Sequence, residues 1–439
     1  MTTNRLAACL AAILALSSAA AGAAQSDAPP TVKAIVGGTV VNIDGGASIE
    51  NAVVLIEGEK IKAIGPAGTP VPAGAEVIRA AGSWLIPGLM NMHVHLGLKL
   101  PGRDRAALAD ETTAALTLRM MVNARESLRA GVTTIRMPGS EGNTGVAVRD
   151  AIARGDYEGP RIFSAGGVTM TAGHGSRPGQ TYNDGPYEMV KAARMKIREG
   201  QDWIKIAISG GVATDGDGGI TESLMTPEEM RAVIDASHRF GVKVAAHSGS
   251  TAATNEAVDA GIDSIEHGYD LDRPLLRKMA KQGTWYVPTI MVTHRGGREY
   301  FERIGSPPWY LERRESVGKQ HWQTLKTAIE EKVRIALGTD QMPFEPNDGT
   351  TSTVREAEAY VEAGMTPLQA LRSATIECAR MLEAHDEIGS VEAGKYADIL
   401  AVTADPTKNI SALRNIVMIM KGGTVYRNDL AKAPERAGP

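Results

Sequence analysis

The chain predicts an α/β fold: a (β/α)8 TIM barrel with short β-rich segments before and after it. Three observations carry that prediction. Between residues 88 and 385, short apolar runs alternate with helical stretches, the texture of a parallel sheet with crossover helices. Eight such runs can be nominated as strands, and a closed barrel is the economical solution for that many. Several of the runs end on His or Asp, at the rim where barrels of this kind build their sites. The alternation alone also fits a doubly wound open sheet, and the placement of those side chains decides between the two.

Residues 1–24 read as a signal peptide outside the fold. Arg5 is a short positive segment, Leu6 to Leu16 is apolar, and Ser17 to Ala24 is rich in small residues. The apolar run is too short for a permanent membrane span, so the expectation is an exported chain, periplasmic or secreted, with no membrane contact after cleavage. Cleavage also removes Cys9. Cys378 is then the single thiol, and an internal disulfide is excluded.

From Ala34 to Ile86 the texture is β-like, with the runs Ala34–Val36, Val40–Ile43, Val53–Ile56 and Lys60–Ile64. They are punctuated by Asp44-Gly45-Gly46, Gly58 and Gly65-Pro66. The eight barrel strands are expected at Leu89–His95, Val132–Met137, Arg161–Ala165, Trp203–Ile208, Val242–His247, Ser264–His267, Trp285–Thr289 and Ile335–Asp340. Helices are expected at Ala109–Ala130, Met189–Glu199, Pro227–Phe240, Glu315–Glu331 and Thr353–Ala363. The β texture returns at Asp398–Val402, Ile416–Met420 and Thr424–Tyr426. This divides the chain into a β segment at 31–87, the barrel at 88–385 and a second β segment at 386–430.

Composition narrows the function. The 439 residues are 43% hydrophobic and 22% charged, with 48 Gly and 22 Pro, enough apolar material for a large core. Aromatic residues make up only 4%, and 47 basic residues face 51 acidic ones for a net charge of −4. Neither base stacking nor a basic footprint is available, so a nucleic-acid partner is not expected.

The chemistry concentrates at strand ends. His93-Val94-His95 closes the first run, and alternation along a strand points i and i+2 the same way. One His-x-His is weak evidence. The pattern recurs, however, with His247 after Val242–Ala246, His267 after Ser264–Glu266, and Asp340 after Ile335–Thr339. Lys205 lies inside the apolar run Trp203–Ile208. A buried unpaired ammonium is strongly penalised there, so it must be neutralised, paired or modified. An uncharged amine between two cations adds carbon dioxide to give a carbamate, whereas the bland alternative is a Lys reaching a carboxylate or the barrel mouth.

These motifs, with Pro87-Gly88-Leu89, Ser209-Gly210-Gly211 and Gly394-Lys395-Tyr396-Ala397-Asp398, resemble the metal-dependent amidohydrolase superfamily. The resemblance is to its secreted prolidase-like branch of Xaa-Arg/Xaa-Lys dipeptidases and ochratoxin-degrading amidohydrolases, and it covers essentially the whole mature chain. It implies that His93, His95 and Asp340 hold one divalent ion and His247 and His267 a second. Carbamylated Lys205 would bridge the two, with Zn²⁺ suited to these N/O donors. It further implies that Asp340 shuttles the proton of the attacking water. On the same resemblance the substrate would be a small amide or peptide, the flanking β segments would pair into one small β-sandwich, and the chain would form a homo-oligomer.

His174, on the glycine-rich loop after the third strand, is assigned a substrate contact near the metals rather than a surface role. Tyr269 is a candidate pocket wall, equally a packing residue. His294 and Arg295 are candidate ligands for a substrate carboxylate, or a structural pair. Asp215 and Asp217 read as solvated or turn residues, and His238, His321 and His385 as surface residues of helical stretches. The segment Gln341-Met342-Pro343-Phe344-Glu345-Pro346 departs from the dipeptidase branch, which often shows Ala-Gly and further on Pro-His-Gly; this loop helps shape the pocket, so the departure puts basic-dipeptide specificity in doubt and leaves the metal set untouched. The expected reaction is hydrolysis of an amide bond in an N-acyl amino acid or dipeptide-like substrate with a free carboxylate. A cyclic-amide or lactone hydrolase and a non-catalytic assembly module are the rival readings.

Overall fold

Eight parallel strands run in strict chain order around the centre of the structure, a computed structural model that describes residues 32–171, 173–175, 181–214 and 219–432. The predicted signal peptide, Asp215, Asp217 and the side chain of Arg295 lie outside the described parts. The strands are Leu89–Asn91, Val132–Met137, Arg161–Gly167, Trp203–Ala207, Lys243–Ser248, Ser264–His267, Trp285–Val287 and Arg334–Ile335. Sequential order excludes the doubly wound alternative, whose strand order reverses.

The first and last strands meet through backbone bonds beyond their ladders. Met92 N donates to Leu337 O (2.7 Å), and Asp340 N donates to His93 O (2.8 Å). These strands are shorter than the expected Leu89–His95 and Ile335–Asp340 for a local reason. Asn91 Oδ1 accepts from His93 N and Thr339 N, both at 3.2 Å, so one side chain replaces two ladder partners. The histidines therefore leave the strand on irregular backbone. His93 is buried and His95 is half-buried.

Helices Thr113–Arg129, Gly185–Arg198, Pro227–His238, Pro308–Glu330 and Ser352–Glu362 are among those that pack around the barrel. Their starts follow their sequences. Thr226 caps one with a reciprocal Glu229 capping box and Pro227 in its first turn. Helix Pro308–Glu330 starts seven residues before the predicted Glu315, because the Pro307-Pro308 pair suits a first turn. Its inner face carries Arg314, His321, Thr324, Leu325 and Ala328, all buried. His321 is thus a core residue, which corrects its expected place at the surface. A polar inner face hides the helical apolar stripe that would have marked it.

The flanking β segments join in one mixed sheet. Strand Val32–Val40 pairs with Ile49–Glu57, and Trp84–Pro87 pairs antiparallel with Ile399–Val402 from the far end of the chain. The sheet curls back on itself: Ile61 N donates to Lys395 O (2.9 Å), and Gly394 N donates to Ile61 O (2.8 Å). Ile35, Val54 and Ile56 from the N-terminal part share one buried cluster with Ala401, Met418 and Met420. A separate, larger core fills the barrel and the layer under its helices.

Candidate active site

The predicted strand-end residues converge at one mouth of the barrel. Ligand atoms of His93, His95 and Asp340 lie within 4.8 Å of one another, with Asp340 Oδ1 3.5 Å from His93 Nε2 and 3.4 Å from His95 Nε2. The His267 ring lies 4.8 Å from that of His93 and 4.5 Å from that of His247, centre to centre. Register explains the grouping. Lys205 pairs with Ala245 two residues before His247, and Ser248 pairs with His267 on the next strand.

Each of the four histidines has one ring nitrogen committed to a protein acceptor. His93 Nδ1 donates to Glu266 Oε2 (2.7 Å), His95 Nδ1 to Gly139 O (3.2 Å) and His247 Nε2 to Gly210 O (2.8 Å). Carbonyl and carboxylate oxygens only accept, so these nitrogens carry the protons. His267 Nδ1 lies 2.7 Å from Thr289 Oγ1, whose own proton goes to Pro288 O at 2.6 Å, so His267 is the donor there as well. In the rings of His93, His247 and His267 the second nitrogen is left as a lone pair. Those of His93 (Nε2) and His247 (Nδ1) are buried and have no hydrogen-bond partner. Burial, first of all, holds His93, His247 and His267 well below the ordinary histidine range, so they are neutral at pH 7. Neutral imidazoles in fixed tautomers beside a carboxylate form a donor set that fits a divalent ion.

Lys205 and Asp340 share this environment. Burial pushes the lysine down to about 8 and the aspartate up to about 7, while their mutual attraction favours both charges. The charge of Lys205 adds to the lowering at His93, His247 and His267. His247 and His267 supply only two donors, so a second ion at that end needs a further ligand.

Backbone strain marks the same rim. His267, Thr289 and Asp340 adopt φ of 68°, 52° and 53°, left-handed values that non-glycine residues rarely take. Gly211 solves a steric problem: a Cβ there would lie 2.4 Å from His174 Nδ1 and 2.8 Å from His247 Nε2. Without it, the rings of His174 and His247 stack at 3.8 Å and 14°. His174 is also bonded to Thr214 Oγ1 at 2.9 Å. Tyr269 is fully buried and stacks on His267 at 5.4 Å, with His321 edge-on behind it at 5.1 Å. His294 receives Gly296 N on Nδ1 and faces Trp322 and Glu362.

Two residues of the site escaped the sequence reading. Glu266 bonds His93, Arg136 Nη2 (2.6 Å) and Ser264 Oγ (2.7 Å), and Arg136 also donates to Met92 O; all of these side chains are sealed in the barrel. The available signal was a charged residue in the middle of each apolar run, Val132–Met137 and Ser264–His267. Two such buried charges of opposite sign on inward-facing positions of a barrel are most cheaply read as partners.

A parallel barrel whose mouth gathers tautomer-fixed histidines around a carboxylate is the framework of a barrel hydrolase with a candidate metal centre. Residues 84–426 match the model described as "Amidohydrolase family", and the chain belongs to that family, a metal-dependent one. Ochratoxinase of Aspergillus niger is 28% identical over 379 residues, covering 78% of this chain and 75% of that protein. A crystal structure of a Xaa-Pro dipeptidase with methionine bound in its active site superposes with a TM-score of 0.81 at 31% identity, over 91% of this chain and all of that one. The crystal structure of A. niger ochratoxinase gives 0.78 at 26% identity, over 91% of this chain and 96% of that one. These relatives place the chain in the prolidase-like branch, among hydrolases of amide and peptide C–N bonds.

Proposed function

We propose that this chain is an exported, binuclear metal-dependent amidohydrolase that cleaves the amide bond of an N-acyl amino acid or dipeptide-like substrate with a free carboxylate. The observation that carries the metal reading is the arrangement of the four histidines, each donating from one nitrogen, with His93, His247 and His267 neutral and keeping the other as a lone pair. In this reading His93, His95 and Asp340 hold one ion, and His247 and His267 hold the other. Lys205 completes the second set as a carbamate: its uncharged amine adds to carbon dioxide and loses a proton. Burial favours that uncharged amine.

When bound, divalent ions of the zinc type polarise the scissile carbonyl and acidify the attacking water. The residues of the chain do the rest. Asp340 takes a proton from the water as its oxygen adds to the carbonyl carbon, and returns that proton to the nitrogen when the C–N bond breaks. A carboxyl raised by burial toward neutrality is matched to that exchange. In this reading His174, whose ring stacks on that of His247, contacts the substrate carbonyl. Tyr269 lines the wall behind His267.

The substrate class draws support from the relatives named above, an ochratoxinase and a dipeptidase that holds an amino acid at its active site. Export rests on the segment 1–24, and homo-oligomer formation on the family resemblance. A panel of N-acyl amino acids and dipeptides, each beside its C-terminal amide, tests the proposal. Turnover of the free acids, at least tenfold faster than of the amides, is expected. Turnover confined to cyclic amides or lactones would overturn it.

A further inference from the structure

A second buried carboxyl stands behind the site with no place in the reaction. Glu356 lies on helix Ser352–Glu362, fully buried, and its two oxygens accept from Ile290 N (2.8 Å) and Met291 N (3.0 Å). These are the first two amides of the short 3₁₀ turn Ile290–Val292 that follows the seventh strand. Helix starts leave such amides without internal partners, and a side chain of the preceding residue commonly caps them. Here Thr289 stands at that position and makes no side-chain cap. Its hydroxyl instead donates to Pro288 O and accepts from His267 Nδ1, from a left-handed backbone at φ 52° and ψ 45°.

We infer that Glu356 is a positioning residue for His267: by capping the turn from outside, it frees Thr289 to fix the tautomer and orientation of that imidazole. The contacts form one continuous path, from carboxyl to turn amides, to Thr289 and to the ring. Thr353, one helical turn earlier on the same helix, accepts from Asn91 Nδ2 at 3.1 Å, and Asn91 Oδ1 holds His93 N. One helix face therefore braces both halves of the proposed metal centre, through separate residues. Losing an outer partner of a metal-binding histidine typically weakens metal binding by about 10–100-fold, which sets the effect to look for.

The inference rests on the reading that His267 binds a metal ion, and the experiment keeps the two apart. In metal-free protein labelled with ¹⁵N-histidine, the parent should show His267 protonated on Nδ1. In Glu356→Gln and in Glu356→Met, judged folded by circular dichroism, the ring should populate both tautomers. Zn²⁺ titration should then show about 10–100-fold weaker binding of one equivalent, with the other unchanged. A folded variant that keeps the parental tautomer and Zn²⁺ affinity overturns the inference while leaving the metal reading intact. A tautomer shift in a chain whose parent binds no Zn²⁺ supports the positioning role and removes the metal reading. Should neither variant fold, Thr289→Ala read against Thr289→Ser decides: the serine should keep the parental tautomer, and its retention in the alanine variant contradicts the path.

Discussion

Glu266 Oε2 lies 2.7 Å from His93 Nδ1, with both side chains closed off from solvent and Arg136 on the other carboxylate oxygen. The pair orients one proposed metal ligand, and the arginine is the ion-pair partner of the carboxylate inside the barrel. Glu266→Gln should leave the barrel folded and weaken binding at the His93 end by about 10–100-fold. Glu266→Ala should do more, because it strands the guanidinium of Arg136 inside the barrel, at a cost on the order of 3–5 kcal/mol. Urea denaturation of the metal-free proteins measures the second effect, and Zn²⁺ titration the first.

Asp340→Asn should fold and lose turnover by about 10²–10⁴-fold, since the amide cannot accept the proton of the attacking water. Steady-state kcat on an N-acyl amino acid is the readout. Near-parental turnover would remove Asp340 from the reaction.

Lys205→Ala should lose one metal equivalent and its activity together. Short carboxylic acids such as acetate or propionate should restore part of both by standing in for the carbamate. Full metal content and rate in parent protein prepared free of carbonate would contradict the carbamate.

Much of the site is legible in the sequence because its ligands end apolar runs: His247, His267 and Asp340 each follow a stretch that predicts a strand. The positions of His93 and His95 are legible for a reason that the structure revises. They sit beyond the paired strand, held by Asn91, whose role depends on a partner almost 250 residues away. Glu356 was hidden for a related reason, since it pairs with backbone amides more than sixty positions away that no local pattern announces, whereas Glu266 and Arg136 showed only as charges inside strand runs, with nothing local to say that they pair. His321 misled for the opposite reason, being a polar residue on the inner face of a helix, where periodicity looks for apolar ones.

His321 gives a pH prediction. Burial pushes its imidazole down to about 4 from an ordinary 6.5. The folded state thus binds its proton less readily than the unfolded chain. The stabilising contribution is complete above about pH 6.5 and is lost as pH falls through about 4, on the order of 3 kcal/mol in all. His321→Gln should flatten the decline of urea stability between pH 7 and pH 4 in chelator-treated protein. Parallel pH profiles for parent and variant would contradict the assignment.

The most direct test counts ions. Protein expressed with added Zn²⁺ and purified without chelator should carry close to two equivalents per chain by elemental analysis, and His93→Ala and His267→Ala should each lower that number by about one. Less than one equivalent in the parent, or an unchanged count in both variants, would contradict a binuclear centre at the mouth of this barrel.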